Sequence, residues 1–391
     1  NGGTLSNVTI EGAEGELGSA DSNSVTINGG TISGTGNTID GAWGKTQSTN
    51  NTVTINNGTI SNGTIYGANG NTQASDNTVT INGGTISSDI YGGYSISSDQ
   101  VTDNVVIINP SNDLNISDAA LYGSNVTNDQ DSSGNQLGNT LDVYQKNITA
   151  KNVGNFSNIN FYLPTSIQNG DTVLTLTSSN GTDVSYSNMN AYIPGSTKLT
   201  VGEKITLLTN ANGVTSTDAK YSYSLTQGVS LTYDVYMGPE GSDSIVLDII
   251  GATVNPQTKS LVETRTASMG FLNSGMDMVD DVIPTIDKGT YEPFVQTDAA
   301  DMRYNTGSYS NVHGSHAMVG ASRAIEKADG NIYLSPFVEA GWGRYDSHFD
   351  GIRADGSIDY CGVGFMARRS YTDGLYYEGT LHYGKIRSSY N

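Results

Sequence analysis

The sequence predicts an all-β fold in three parts: a right-handed parallel β-helix solenoid, one long linker helix, and antiparallel transmembrane strands of an incomplete β-barrel. Three observations predict it. An Asn/Gly/Thr-rich unit recurs every 26–28 residues through the first part of the chain. An Asn-Pro pair at 255–256 opens a helical pattern that Pro284 closes. The Tyr- and Gly-rich stretches that follow alternate apolar side chains with polar or small ones, as barrel strands in a membrane do. The expected parts are residues 1–250 (repeats over 1–126, less regular coils over 127–250), 251–284 and 285–391.

The repeat reads NSVTINGGTISG from Asn23, NTVTINNGTISN from Asn51, NTVTINGGTISS from Asn77 and a degenerate NVVIINPSND from Asn104. A second motif keeps the same phase: TIDGA from Thr38, TIYGA from Thr64, IYGG from Ile90 and LYG from Leu121. The opening NGGTLSN is the back half of an earlier copy, so the chain is expected to be a fragment. Each copy offers three short β-branched strands, around VTI, TIS and TIYG, separated by Asn-Gly or Gly-Gly turns. One copy cannot bury its own apolar side chains, whereas stacked copies can. Stacking puts the Val25/Ile27, Val53/Ile55 and Val79/Ile81 pairs in the core, Thr26, Thr54 and Thr80 outside, and Asn28, Asn56 and Asn82 in a turn ladder. A hairpin reading of the Asn-Gly turns is the alternative.

Strand-like stretches continue at 139–144, 159–163, 172–177, 204–208, 229–235 and 244–250. At roughly 4.8 Å per coil, about nine coils would make a rod of about 45 Å. The less regular coils are the expected cap, since a bare solenoid end invites edge-to-edge pairing.

Charge and cysteine usage narrow the partners. The net charge is −21, and Lys45 is the only basic residue before Lys146, which argues against nucleic acid. The Gly-Gly-x-Gly-x-Asp nonapeptides of calcium-filled β-rolls are missing. Cys361 is the single cysteine, so no internal disulfide forms. A chain without closed loops suits export in an unfolded state. No apolar run reaches the roughly 18 residues of a membrane helix.

In the helix, Asn255 is the expected N-cap and Leu261, Met269, Leu272, Met276, Val279 and Ile283 form an apolar stripe. Glu263, Arg265, Asn273, Asp277 and Asp281 fall elsewhere. About 28 residues give a helix of at most about 42 Å. Its charges forbid lipid contact but suit a polar lumen. An ordinary interdomain helix is the alternative.

Five strands are expected at 292–304, 311–325, 331–345, 357–370 and 375–387. Leu334, Pro336, Val338, Ala340 and Trp342 share one face, and Ser335, Phe337, Glu339 and Gly341 the other. Cys361, Val363, Phe365 and Ala367 likewise oppose Tyr360, Gly362, Gly364 and Arg368. In the fifth stretch Leu375, Tyr377, Leu381 and Tyr383 oppose Tyr376, Glu378, Thr380 and His382. This places Glu339, Arg368, Glu378 and His382 in the lumen. A soluble antiparallel sandwich would bury the same alternation, with shorter strands.

The segments KSLVETRTASMGFLNSGMDMV, FVQTDAADMRYNTGS, SPFVEAGWGRYDSHF and YCGVGFMARRSYTDGLYYEGTLHYGK resemble, in order and spacing over roughly 258–387, the monomeric autotransporters of type V secretion in Gram-negative bacteria. The upstream coils look like the β-helical passengers of that family, with 153–208 similar to a passenger's C-terminal folding segment. The resemblance implies a passenger carried to the cell surface by its own outer-membrane translocator, with the helix left in the pore. It also implies outer-membrane lipid, the barrel-assembly machinery and periplasmic chaperones as partners. A surface or adhesion rod is the expected role, compatible with a host-surface or carbohydrate ligand. The family's barrel has more strands, about twelve, than the five that fit here, so this stretch by itself is expected not to close. Some relatives cleave themselves at an Asn-Asn pair in the helix. The nearest match here is Leu272-Asn273-Ser274, and no such cleavage is expected.

No catalytic, cofactor-binding or metal-binding residues are assigned, and the chain is expected not to be an enzyme. No His precedes His313, so a Ser-His-Asp, Cys-His or His-zinc site cannot form within the solenoid sequence. Asp and Glu pairs could still serve a hydrolase, but Glu11, Glu14 and Glu16, though close in sequence, read as solvated turn residues, and His313 with His316 as strand or turn residues without a metal role. The competing function classes are a secreted carbohydrate-active β-helix enzyme and a structural surface-layer protein.

Overall fold

A computed structural model describes residues 2–96, 100–109, 113–216, 221–227, 231–255, 257–276, 278, 291–305, 308–349 and 352–389. The chain divides into two compact units, Asn1–Thr253 and Val254–Asn391.

The first unit is the expected parallel solenoid. The VTI, TIS and TIYG strands appear at Ser24–Ile27, Thr31–Ser33 and Asn37–Asp40, and two shorter segments, Trp43–Gly44 and Gln47–Thr49, complete the coil. Successive coils pair in parallel and in register. Val25, Val53, Val79, Val106, Leu141, Ile159 and Met189 form one column. Ile10, Ile39, Ile65, Ile90, Leu121 and Val153 form another. Apart from partly exposed Ile10, both columns are buried, while Thr26, Thr54 and Thr80 point outward. Burying each aliphatic contributes about 1.5–3 kcal/mol before entropy is counted, and no single coil could do it alone.

The parallel columns are seven and eight strands deep rather than nine, because residues from 221 onward leave the parallel winding. Ser244–Val254 pairs antiparallel with Lys204–Asn210, and Leu231–Glu240 pairs antiparallel with Tyr221–Gln227. These strands cap one end. Tyr233 donates its hydroxyl proton to Leu199 O at 3.1 Å, and Tyr221 donates to Met189 O at 3.1 Å.

Two asparagine ladders run along the solenoid. The expected one is on the surface: Asn56, Asn82 and Asn109 each donate to the Asn of the preceding coil at 2.6–2.7 Å. The second is buried and involves the Asn that opens each repeat. Asn51 Nδ2 donates to Asn77 Oδ1 at 3.2 Å, Asn77 Nδ2 to Asn104 Oδ1 at 2.9 Å, and Asn104 Nδ2 to Asn139 Oδ1 at 2.9 Å. Each Oδ1 also accepts the backbone N–H of the previous Asn at 2.8–3.0 Å. The ladder ends on buried Asp129, which accepts from Asn139, Ser124 and Ser157. Burial pushes that carboxyl up, and these donors oppose the shift. The motif glycines have a packing reason: a Cβ on Gly41 or Gly67 would lie 2.1 Å from the carbonyl oxygen of the next coil.

In the second unit the helix runs Gln257–Met276, and Thr258 N–H donates to Asn255 O at 2.9 Å. Residues 277 and 279–290, with the expected stop at Pro284, lie outside the described residues. The sheet follows in sequential antiparallel order: Tyr291–Asn305, Tyr309–Lys327, Gly330–Phe349, Ile352–Tyr371 and Tyr376–Ser388. All five expected strands are present, most of them longer than the pattern suggested. Strands of 13–20 residues exceed those usual in a sandwich.

The expected helix stripe needs correction. Met269 and Met276 are exposed, and the side chain of Leu261, like Val279 and Ile283, lies outside the described residues. The buried face carries Glu263, Thr264, Ala267, Gly270, Phe271 and Gly275 instead. The helix touches all five strands, and the sheet face it meets is glycine-notched and mixed: Val312, Tyr345 and Ile358 pack around Phe271 and Ala267, with His316 and buried serines among them. Small and polar residues therefore fit where an apolar stripe was expected.

Candidate functional site

The five-stranded sheet has two unlike faces. On the face away from the helix, Val295, Val319, Val338, Val363 and Tyr383 lie in one row across all five strands. Each is 50–81% exposed. Pro336, Phe365 and Leu381 form a second row beside it. Leaving so many contiguous apolar side chains in water is costly, so the surface is built for an apolar medium or an apolar partner. Tyr291 and Tyr377 stand towards one end of this zone and Trp342 towards the other. From Leu334 to Trp342 the strand covers about 27 Å, the height of a barrel's apolar band.

The helix-bearing face is built from glycines beside large side chains. Phe271 is fully buried in a notch formed by Gly314, Gly341 and Gly343. A Cβ on these glycines would approach its ring to 2.3, 3.0 and 2.9 Å. The ring lies 4.1 Å, centroid to centroid, from His316, whose Nε2 is 3.1 Å from Ser274 Oγ. Thr264 and Tyr345 share a hydrogen bond at 3.0 Å between their hydroxyls.

All four residues expected in the lumen lie on this face, in two separate groups. His382 Nδ1 is 3.0 Å from Glu339 Oε1, the same oxygen that accepts the Tyr360 hydroxyl proton. Arg368 stands opposite Glu378 in register, 3.6 Å away, with its guanidinium 3.8 Å over the Tyr376 ring. Glu339 and His382 are largely buried and meet each other within the protein.

The remaining singled-out residues are dispersed. His313 is on the open face, 3.1 Å from Asp301, while His316 faces the helix. An odd spacing along a strand separates the two, so they cannot share a ligand. Among the described residues no three His, Cys, Asp or Glu side chains gather as a metal would require. Cys361 is exposed on the open face between Ala340 and Lys385 in register. Lys45, Glu11, Glu14 and Glu16 are exposed on the solenoid.

The sequence reading missed Asp40. It stacks beside Glu11 in register but is only 1% exposed, and it accepts the Ala42 N–H at 3.2 Å. Burial, helped by Glu11, pushes its carboxyl up to about 8. A substrate could reach it only by opening the coil, so the pair makes a poor acid–base site as it stands. Phe271 and its notch were also missed. The signal for them was present: glycines at alternate positions in GWG and GVG, which leave one strand face bare.

The chain matches no known family, no curated protein and no solved structure.

Proposed function

We propose that the protein is an outer-membrane autotransporter: its C-terminal sheet belongs to a barrel that anchors and exports the solenoid, which acts at the cell surface as an adhesion or interaction rod. The reading rests on one observation, the two-faced sheet. A continuous exposed apolar row covers one side, and the other, glycine-notched, carries Glu339, His382, Arg368 and Glu378 and holds a charged helix. Apolar-out and polar-in is the arrangement lipid demands of a barrel wall, and a helix bearing charge is accepted there only in a watery lumen. The first and last strands have free edges among the described residues, and lipid does not tolerate such edges, so closure requires further paired strands.

The test is to express the complete gene in a Gram-negative host, fractionate the cells, and treat intact cells with protease. The sheet should stay with outer membranes washed in alkaline carbonate, and the solenoid should be digested from outside. Recovery of all the protein in the detergent-free soluble fraction would overturn the proposal.

A further inference from the structure

Tyrosines form a stack on the outer surface of the solenoid. Tyr66, Tyr91 and Tyr122 occupy one register position in consecutive coils, next to buried Ile65, Ile90 and Leu121. Tyr91 and Tyr122 stack at 4.9 Å with 25° between their planes. The next residue in this column is Gly154, and there the stack stops. A Cβ on Gly154 would lie 3.3 Å from the Tyr122 ring, so the glycine lies directly beneath it. The missing side chain leaves a pocket of about 190 Å³, lined by Tyr122, Gly154, Tyr186, Asn128, Asn152 and Asp183 among others. Asn152 is fixed in it, since its Oδ1 accepts the Thr182 hydroxyl proton at 2.7 Å.

We infer that this pocket binds one uncharged pyranose ring at the end of a glycan, seated against the free side of Tyr122. Its size suits a single ring rather than a chain. An aromatic face is electron-rich and attracts the axial C–H groups of a pyranose. Asn and Asp side chains at the rim supply the directional acceptors and donors that hydroxyl groups need. Charge excludes the obvious competitors: Asp183 stands at the rim and no Lys or Arg lines the pocket, so a sialylated, uronic or sulfated sugar would be repelled. This goes beyond surface display, and the assay below does not depend on membrane insertion, so the two proposals can fail separately.

The full-length chain in detergent would be examined by ligand-detected NMR against methyl glycosides of glucose, galactose, mannose and N-acetylglucosamine, with sialyllactose as the anionic probe. At least one neutral glycoside should bind with a Kd no weaker than the order of 10 mM. Tyr122→Ala should weaken it about tenfold or more. Gly154→Tyr extends the stack into the pocket and should abolish binding while the chain keeps its β-type circular dichroism and melting temperature. Tyr162→Ala, in the separate stack of Tyr144, Tyr162 and Tyr192, should bind as wild type. The proposal is overturned if no neutral glycoside binds, if sialyllactose alone binds, or if binding persists in folded Gly154→Tyr.

Discussion

Phe271 on the helix and His316 on the second strand of the sheet meet with their rings tilted at 4.1 Å between centroids, and nearly one turn further on Ser274 reaches the same imidazole at 3.1 Å. One helix surface thus reads the sheet by shape through the ring and by polarity through the hydroxyl. Neither contact would survive if the helix rotated by one residue.

Filling the notch should release the helix. Gly314→Ala places a methyl 2.3 Å from the Phe271 ring and 2.9 Å from the Trp342 carbonyl. Phe271→Ala removes the ring at a cost of about 3–5 kcal/mol. In either variant trypsin should cut after exposed Arg265 at least several times faster than in wild type. The double variant should cost less than the two single changes added together, because the clash requires both groups.

The two asparagine ladders should differ in weight. Asn77→Ala strips an acceptor from the buried Asn51 N–H and amide, at about 1–3 kcal/mol for each unsatisfied group. Asn82→Ala interrupts the surface ladder, where water replaces the partner, and should cost less than about 1 kcal/mol. Denaturant midpoints of the two variants would show the contrast, and equal losses would contradict it.

Asp129 accepts only, at the end of the buried ladder, and every neighbour donates to it. Asp129→Asn turns an N–H group towards those donors. It should lower the melting temperature more than Asp142→Asn, whose residue sits half-buried with Asn160 donating to it at 2.8 Å.

Asp40 should give the solenoid a pH-dependent stability. Its folded pKa, about 8, lies above its ordinary 3.8, so the folded state binds more protons between those values. The stability it contributes is complete below about pH 4 and is lost as pH rises through about 8. Asp40→Asn keeps an acceptor for Ala42 N–H and cannot ionise. Its melting temperature relative to wild type should climb across that window and level off above it. A constant difference would show that Asp40 does not titrate there.

Placing a charge in the valine row should block assembly. Val338→Arg faces the apolar medium at mid-strand and should cost about 2–4 kcal/mol if that medium is lipid. Val338→Leu should be nearly neutral. The readout is the fraction of protein that resists carbonate washing.

Composition and periodicity determined the solenoid, its columns of Val and Ile, the surface ladder from Asn28 to Asn82, and the alternation of the five strands. These follow from spacing alone, since a residue repeated every coil must stack on its own copy and a strand must turn alternate residues to opposite faces. Tertiary structure decided the rest. The Asn that opens each repeat marked the phase, but only the winding of the coil shows that it is buried and that Asp129 terminates its ladder. The helix was read as if its apolar side must face inward. Its partner proved to be a glycine-notched sheet face that mixes apolar and polar side chains, and there Met269 turned out and Glu263 turned in. The pocket at Gly154 depends on register between LYG and NVG, segments with only a glycine in common, 32 residues apart by number. Burial and pairing between distant segments are properties of the packed chain, and no local pattern carries them.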